Sequence, residues 1–175
     1  VNGGGLTGIQ IFPDDEIEII NDEGNQVCEI SVFDKDGNSN LQILNLKEKK
    51  DTSEIVKILS KKNESSLTAN YQLKKRNIKI NKSKSAVLFN SDTVPGEKIK
   101  LNSKDKCYCI FSAPGPDMII HEQNPNTDLT IFVRRAEIKK DKEYSIIPDP
   151  MFDPLHEENI DRKTAISFQV KEGDY

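Results

Sequence analysis

Tryptophan is absent from this chain, histidine occurs twice and cysteine three times, and aromatic residues make up only 6% of it. It is therefore poor in the groups that most often do acid–base work or stack against bases and cofactors. No Ser–His–Asp order, P-loop, HExxH motif or aromatic-studded basic stripe is present. No apolar run approaches the ~20 residues of a membrane helix, and nothing near Val1 has the regions of a signal peptide. The net charge is −4 with both signs intermixed, which gives no general attraction to nucleic acid or to acidic membranes. The cysteines, Cys28, Cys107 and Cys109, are odd in number, and the last two stand at i, i+2. On one extended strand that spacing separates Cα atoms by about 6.5 Å along the chain, a poor geometry for a disulfide. They read as reduced thiols in a soluble, cytoplasmic protein. The chain opens on Val rather than Met, so residues upstream of it are expected.

What is present is mostly two-fold alternation. A length of 175 residues suits one domain plus a short extra piece, large enough to fold without a disulfide or a metal. Residues 1–8 read as a flexible glycine-rich lead. Ile9 and Ile11, then Ile17 and Ile19 between Glu16 and Glu18, alternate as strands. The cluster Asn21–Asn25 is a turn, and Val27–Phe33 reads as the returning strand of a hairpin closed by Asp36-Gly37. Two helices follow. Ser53 can cap the first, with Ile55, Val56, Ile58 and Leu59 as its apolar stripe; Ser65 or Ser66 can cap the second, which runs through Leu67, Tyr71 and Leu73 to Lys74-Lys75-Arg76. Further strands are expected at Ile78–Ile80, Ala86–Phe89, Lys98–Leu101, Lys106–Ser112 and Leu129–Arg135. Pro148, Pro150 and Pro154 make 146–163 an extended linker. Residues 165–175 repeat the layout of residues 9–17 at a shift of 158: Phe12 aligns with Val170, Asp14 with Glu172 and Ile17 with Tyr175. Either a second copy of the fold begins there or two β-hairpins merely look alike.

The motifs that suggest chemistry each meet a simpler explanation. Gly3-Gly4-Gly5-Leu6-Thr7-Gly8 fits G-x-G-x-x-G, but a dinucleotide site needs a strand before the motif and a helix after it. Asp34-Lys35-Asp36-Gly37-Asn38 hints at a calcium loop, yet its glycine falls at the fourth position instead of the sixth, and the twelfth is Asn45. Cys107 and Cys109 are flanked by Tyr108, Ile110 and Phe111 and read as buried hydrophobes; C-x-C is a weak zinc pattern. The loop Ala113-Pro114-Gly115-Pro116-Asp117, followed by His121-Glu122, is the best place for a site, because it leaves a core strand. There His121 could act as a base beside Asp117, although a solvated loop is the plainer reading. Arg135 continues the inward face of Leu129, Ile131 and Val133, so it needs either a carboxylate partner or an anionic ligand. Arg134 should face solvent with Phe132.

The runs Gly8–Ile11, Asp15–Ile20 and Glu23–Glu29 resemble the opening of the urea-carboxylase-associated family of β domains. With Ser112–Met118, Phe132–Ala136 and Phe168–Tyr175, nearly the whole chain is similar to the N-terminal region of long bacterial proteins of the aminomethyltransferase, or glycine-cleavage T-protein-like, type. That resemblance implies a non-catalytic N-terminal accessory domain of a folate-dependent enzyme acting on a small N-methylated amine or amino acid. Tetrahydrofolate would then be bound by C-terminal domains of the same chain, beyond Tyr175. No catalytic or metal residue is carried over, because Cys28 lacks the family's downstream His–Cys set.

The fold expected is α+β, mainly β: a sandwich or distorted barrel of about seven strands with two short inserted helices. The expected units are a β-rich domain over 1–145, the linker 146–163, and the start of a second domain over 164–175. Two other functions compete with the accessory role. One is a small-molecule site built from His121, Asp117 and Arg135; the other is a module for homo-oligomerisation.

Overall fold

The computed structural model describes residues 1–61, 64–115, 126–136 and 169–170. Among these residues, eight strands form two antiparallel sheets. They are β1 (Leu6–Ile11), β2 (Glu16–Asn21), β3 (Cys28–Phe33), β4 (Ser85–Phe89), β5 (Glu97–Asn102), β6 (Cys107–Ser112), β7 (Leu129–Arg134) and the two-residue β8 (Gln169–Val170). Sheet A has the order β4-β3-β6-β1-β8 and sheet B the order β5-β2-β7. Two helices, α1 (Glu54–Leu59) and α2 (Glu64–Lys75), are inserted between β3 and β4. The expected class is therefore found, as an open sandwich of two sheets.

Alternation explains how the layers stack. Ile9 and Ile11 of β1, Cys28, Ile30 and Val32 of β3, and Cys107, Cys109 and Phe111 of β6 point at sheet B, where Ile17, Ile19, Leu101 and Leu129 meet them. The opposite face of sheet A carries Leu6, Phe33, Tyr108 and Ile110 against Ile55, Ile58 and Leu59 of α1 and Ala69 and Leu73 of α2. All six positions of β3 and of β6 are consequently buried. Strands buried on both faces lose the in–out pattern that marks a half-exposed sheet. Sheet B keeps it: Glu16, Glu18 and Ile20 lie outward, while Ile17 and Ile19 pair with Leu101 and Ile99 on one side and Val133 and Ile131 on the other.

Several expectations change. The glycine-rich lead is not loose: β1 begins at Leu6, and Gly4 N and Ala113 N donate to Ala113 O and Gly5 O at 2.7 and 2.9 Å. β2 and β3 form no hairpin, because the Asn21–Val27 connection carries the chain from sheet B to sheet A. The second helix starts at Glu64, so neither Ser65 nor Ser66 caps it; the Ser66 hydroxyl donates instead to Ile58 O at 3.0 Å. Leu67 and Tyr71 are 61% and 54% exposed, and α2 packs through Ser66, Ala69, Gln72 and Leu73. Ile78–Ile80 is no strand: a 3₁₀ turn occupies Ile80–Lys82, and Ile78 N closes α2 by donating to Leu73 O at 3.0 Å. From the stretch read as opening a second domain, Gln169–Val170 pairs antiparallel to Leu6–Thr7 at the edge of sheet A. The linker 146–163 lies outside the described residues.

Helix α1 is held to sheet A by one buried carboxylate. Ser53 caps α1 as expected, accepting from Val56 N. The same hydroxyl donates to Glu29 of β3, which also accepts from Lys49 Nζ at 2.5 Å and Glu54 N at 3.1 Å. Burial pushes the Glu29 carboxyl up, but the hydrogen bonds from Lys49, Ser53 and Ser85 outweigh it and hold the group below its ordinary value.

The turn after β3 is an Asx turn without the features of a calcium loop. Asp34 Oδ1 accepts from the backbone of Asp36 and Asn38, each at 2.9 Å. Gly37 has φ +77°, and a Cβ there would stand 2.1 Å from Asn77 O. Gly37→Ala should therefore cost at least about 2 kcal/mol, combining left-handed strain with a backbone clash. For a chain of this size that is a fall of about 4–8 °C in Tm, measurable by thermal circular dichroism; an unchanged Tm would contradict this packing.

Candidate functional site

The loop favoured by the sequence grows from a narrow, rigid base. Its outgoing foot, Ala113-Pro114-Gly115, leaves β6, and its returning foot, Asn126-Thr127-Asp128, enters β7. Gln26, buried in the sheet-to-sheet connection, bridges the two feet. Its Nε2 donates to Pro114 O at 2.9 Å and to Val27 O at 3.0 Å, and its Oε1 accepts from Thr127 N at 2.9 Å. Thr127 Oγ1 donates to Gly24 O at 3.2 Å, and Asn21 Nδ2 to Gln26 O at 2.8 Å. The N-terminal glycines line the same base. Gly3 N donates to Asp128 Oδ1 at 2.9 Å, and a Cβ on Gly3 would stand 2.5 Å from the Asn126 Cβ. Glycine is needed here for close approach to the returning foot of the loop, and the segment leads into strand β1 where a dinucleotide motif would lead into a helix. Asp117 and His121 lie outside the described residues. Nothing in the spacing around Gln26 marks it; its role appears only once its burial is known.

Arg135 finds the carboxylate that its inward position required. Its Nη1 donates to Asp15 Oδ2 at 2.5 Å and to Gln10 O at 2.9 Å, and its guanidinium lies 5.4 Å from the centre of the Phe12 ring. Asp15 also accepts from Phe12 N at 2.9 Å and Ala136 N at 3.1 Å. The pair therefore joins the β1–β2 turn to the end of β7. Five residue steps separate Leu129 from Arg134 in β7, on the order of 17 Å. The loop feet stand at one end of the sandwich and Arg135 at the other, so Arg135 is not brought to the base of the loop. Arg134 faces outward, as expected, and pairs with Glu16 at 2.6 Å and Glu18 at 2.7 Å. The Arg134 hydrogen bond holds the Glu18 carboxyl below its ordinary value. This ladder is exposed enough to contribute little to stability.

The cysteines sit between the sheets. All three are free and buried, and the sulfurs of Cys107 and Cys109 lie 3.8 Å apart. Burial pushes the Cys28 thiol up to about 12 and the Cys109 thiol well above its usual range. The hydrogen bond between the two sulfurs holds Cys107 down. Thiols in such surroundings are inert. Among the described residues no group of three or more His, Cys, Asp or Glu side chains is placed to hold a metal, and no helix is long and apolar enough to cross a membrane. Two open depressions stand out among the described residues. One of about 530 Å³ is lined by Lys35, Asp36, Lys74, Asn77, Ile78 and Lys79. The other, of about 250 Å³, lies over Lys49, Ser53 and Ser83. Neither has the apolar walls with a few convergent polar groups that a cofactor cleft requires.

The chain is 29% identical, over all 175 of its residues, to a trimethylamine-oxide aldolase of Ruegeria pomeroyi (strain ATCC 700808 / DSM 15171 / DSS-3). It spans about a fifth, 22%, of the length of that curated relative. No family model matches the chain, and no solved structure matches it.

Two predictions follow from the buried groups. Asp15→Ala and Arg135→Met should each cost about 3–5 kcal/mol in urea unfolding, because each strands a buried charge. The double variant Asp15→Ala, Arg135→Met should lose less than the sum of the two; strictly additive losses would mean that the pair does not act as one unit. A thiol-specific disulfide reagent should find no reactive cysteine in the native protein and three after unfolding in guanidinium. Rapid labelling of any native thiol would contradict the packing between the sheets.

Proposed function

We propose that this chain is a non-catalytic accessory domain of a larger enzyme acting on a small N-methylated amine, the chemical class to which trimethylamine oxide belongs. One observation carries the reading: the match runs through every residue of this chain yet occupies 22% of the relative, so the likeness is to one part of a longer protein. The occupation of the polar groups supports it. Among the buried polar side chains of the described residues, Gln26, Glu29, Asp15 and Arg135 each have at least one tie to backbone or to a partner side chain. A catalytic domain would instead aim such groups into a cleft.

The reading extends to the one-carbon chemistry. In an amine N-oxide the N–O oxygen is an internal two-electron oxidant, so a methyl carbon can leave at the aldehyde level as the N–O bond is lost, and tetrahydrofolate can accept a one-carbon unit at that level. We place that acceptor in C-terminal parts of the full-length protein, in keeping with the resemblance to aminomethyltransferase-like proteins, and we place the accessory unit's boundary near residue 145. Folate-dependent transfer and simple release of the carbon as an aldehyde give different products, so a single assay with and without tetrahydrofolate separates them.

The test uses full-length protein with trimethylamine oxide and N-methylated amino acids, following the demethylated amine by chromatography. Turnover should appear with at least one of these substrates, and His121→Ala and Asp117→Asn should stay within about three-fold of the parent. A loss above about 100-fold in either variant, roughly 2.7 kcal/mol of barrier, would place catalysis in the 113–122 loop and overturn the accessory role. Failure to turn over any N-methylated amine would overturn the substrate class.

A further inference from the structure

Sheet B has two edges of opposite character. Along β5, Lys98 and Lys100 accompany a largely exposed strand, an arrangement that discourages further pairing. Along β7, Leu129, Thr130, Ile131, Phe132 and Val133 precede the first charge, Arg134, which is already held by Glu16 and Glu18. The inward side chains lose cover along this strand. Leu129 is buried, but Ile131 and Val133 are only partly so, although their β2 neighbours Ile19 and Ile17 are fully buried. On the outer face Phe132 is 49% exposed.

One residue has already begun to cover that edge. The Val1 nitrogen donates to Leu129 O at 2.5 Å, and Leu129 N donates to Val1 O at 2.8 Å. Two residues that exchange both hydrogen bonds form the narrow pair of an antiparallel ladder. Backbone groups alternate sides along a strand, so the outward-pointing amides of β7 belong to Leu129, Ile131 and Val133.

No strand among the described residues pairs with the outer edge of β7, and we infer that this edge is the docking place of an additional antiparallel strand, supplied by the residues immediately ahead of Val1 in the full-length protein. The Val1–Leu129 pair sets the register. The residue two places ahead of Val1 stands opposite Ile131, and the residue four places ahead stands opposite Val133. Paired side chains share a face, so these two should be apolar and complete the cover of the inter-sheet core. The residue three places ahead stands beside Phe132. Strand addition of this kind draws its strength from main-chain hydrogen bonds and its specificity from alternate side chains. This inference is independent of the accessory role proposed above.

Amide hydrogen exchange on the full-length protein tests it. The Ile131 and Val133 amides should exchange at least about 100-fold more slowly than free-edge amides. Proline at the position two ahead of Val1, which removes a ladder donor, should raise both rates at least about ten-fold, while alanine at that position should not. Unprotected amides in the unmodified full-length protein would overturn the inference. So would protection that rises with protein concentration, which would mean that a second copy supplies the strand. Equal protection in a chain begun at Val1 would mean that some other segment covers the edge, and would overturn it as well.

Discussion

Each residue of β3 and β6 is buried because sheet A carries sheet B on one face and the helices on the other. Burying a Phe or Ile side chain in such a position stabilises the fold by about 1.5–3 kcal/mol. Phe33, Phe111, Ile30 and Ile110 are all in this class. The same double cover dictates what the remaining positions can be. Between the sheets, Cys28, Cys107 and Cys109 supply small apolar side chains where larger ones would overpack. On the helical face, a carboxylate such as Glu29 is tolerated only because Lys49, Ser53 and the Glu54 amide converge on it.

The polar tethers at the two ends of the sandwich work in the same way. Gln26 satisfies backbone groups from both feet of the 113–127 connection, and Asp15 with Arg135 binds the β1–β2 turn to the end of β7. Buried ion pairs gain little over a well-packed apolar alternative, but removing one partner is costly. Their value here is positional: they determine where the strands of sheet B end relative to those of sheet A.

Local signals were legible where one residue's neighbours decide its state. Glu16-Ile17-Glu18-Ile19 reads as a strand with two unlike faces, and sheet B places its glutamates on the outer face, where Arg134 covers Glu18. Ser53 ahead of Ile55 and Ile58 reads as a capped helix and is one. Arg135 on an apolar face called for a counter-charge and has Asp15. The errors fall where a distant partner decides. Ser65 and Ser66 looked like possible caps of α2, but the helix starts at Glu64 and packs through the face bearing Ser66, Ala69 and Leu73. Glycine makes residues 1–8 look loose, yet contacts with Asn126, Asp128 and Ala113, more than a hundred positions away, order them.

Alternation, capping and turn chemistry act over a few residues, so the sequence alone determined that the chain is mainly β with helices after β3. It also indicated that Arg135 needs a carboxylate partner or an anionic ligand and that Cys107 and Cys109 are buried hydrophobes. Tertiary structure decided which strands share a sheet, which face of α2 is covered, and that Gln26 joins the feet of the 113–127 connection. Those outcomes depend on layers meeting across the core, and the free energy of that meeting belongs to pairs of surfaces far apart in the chain.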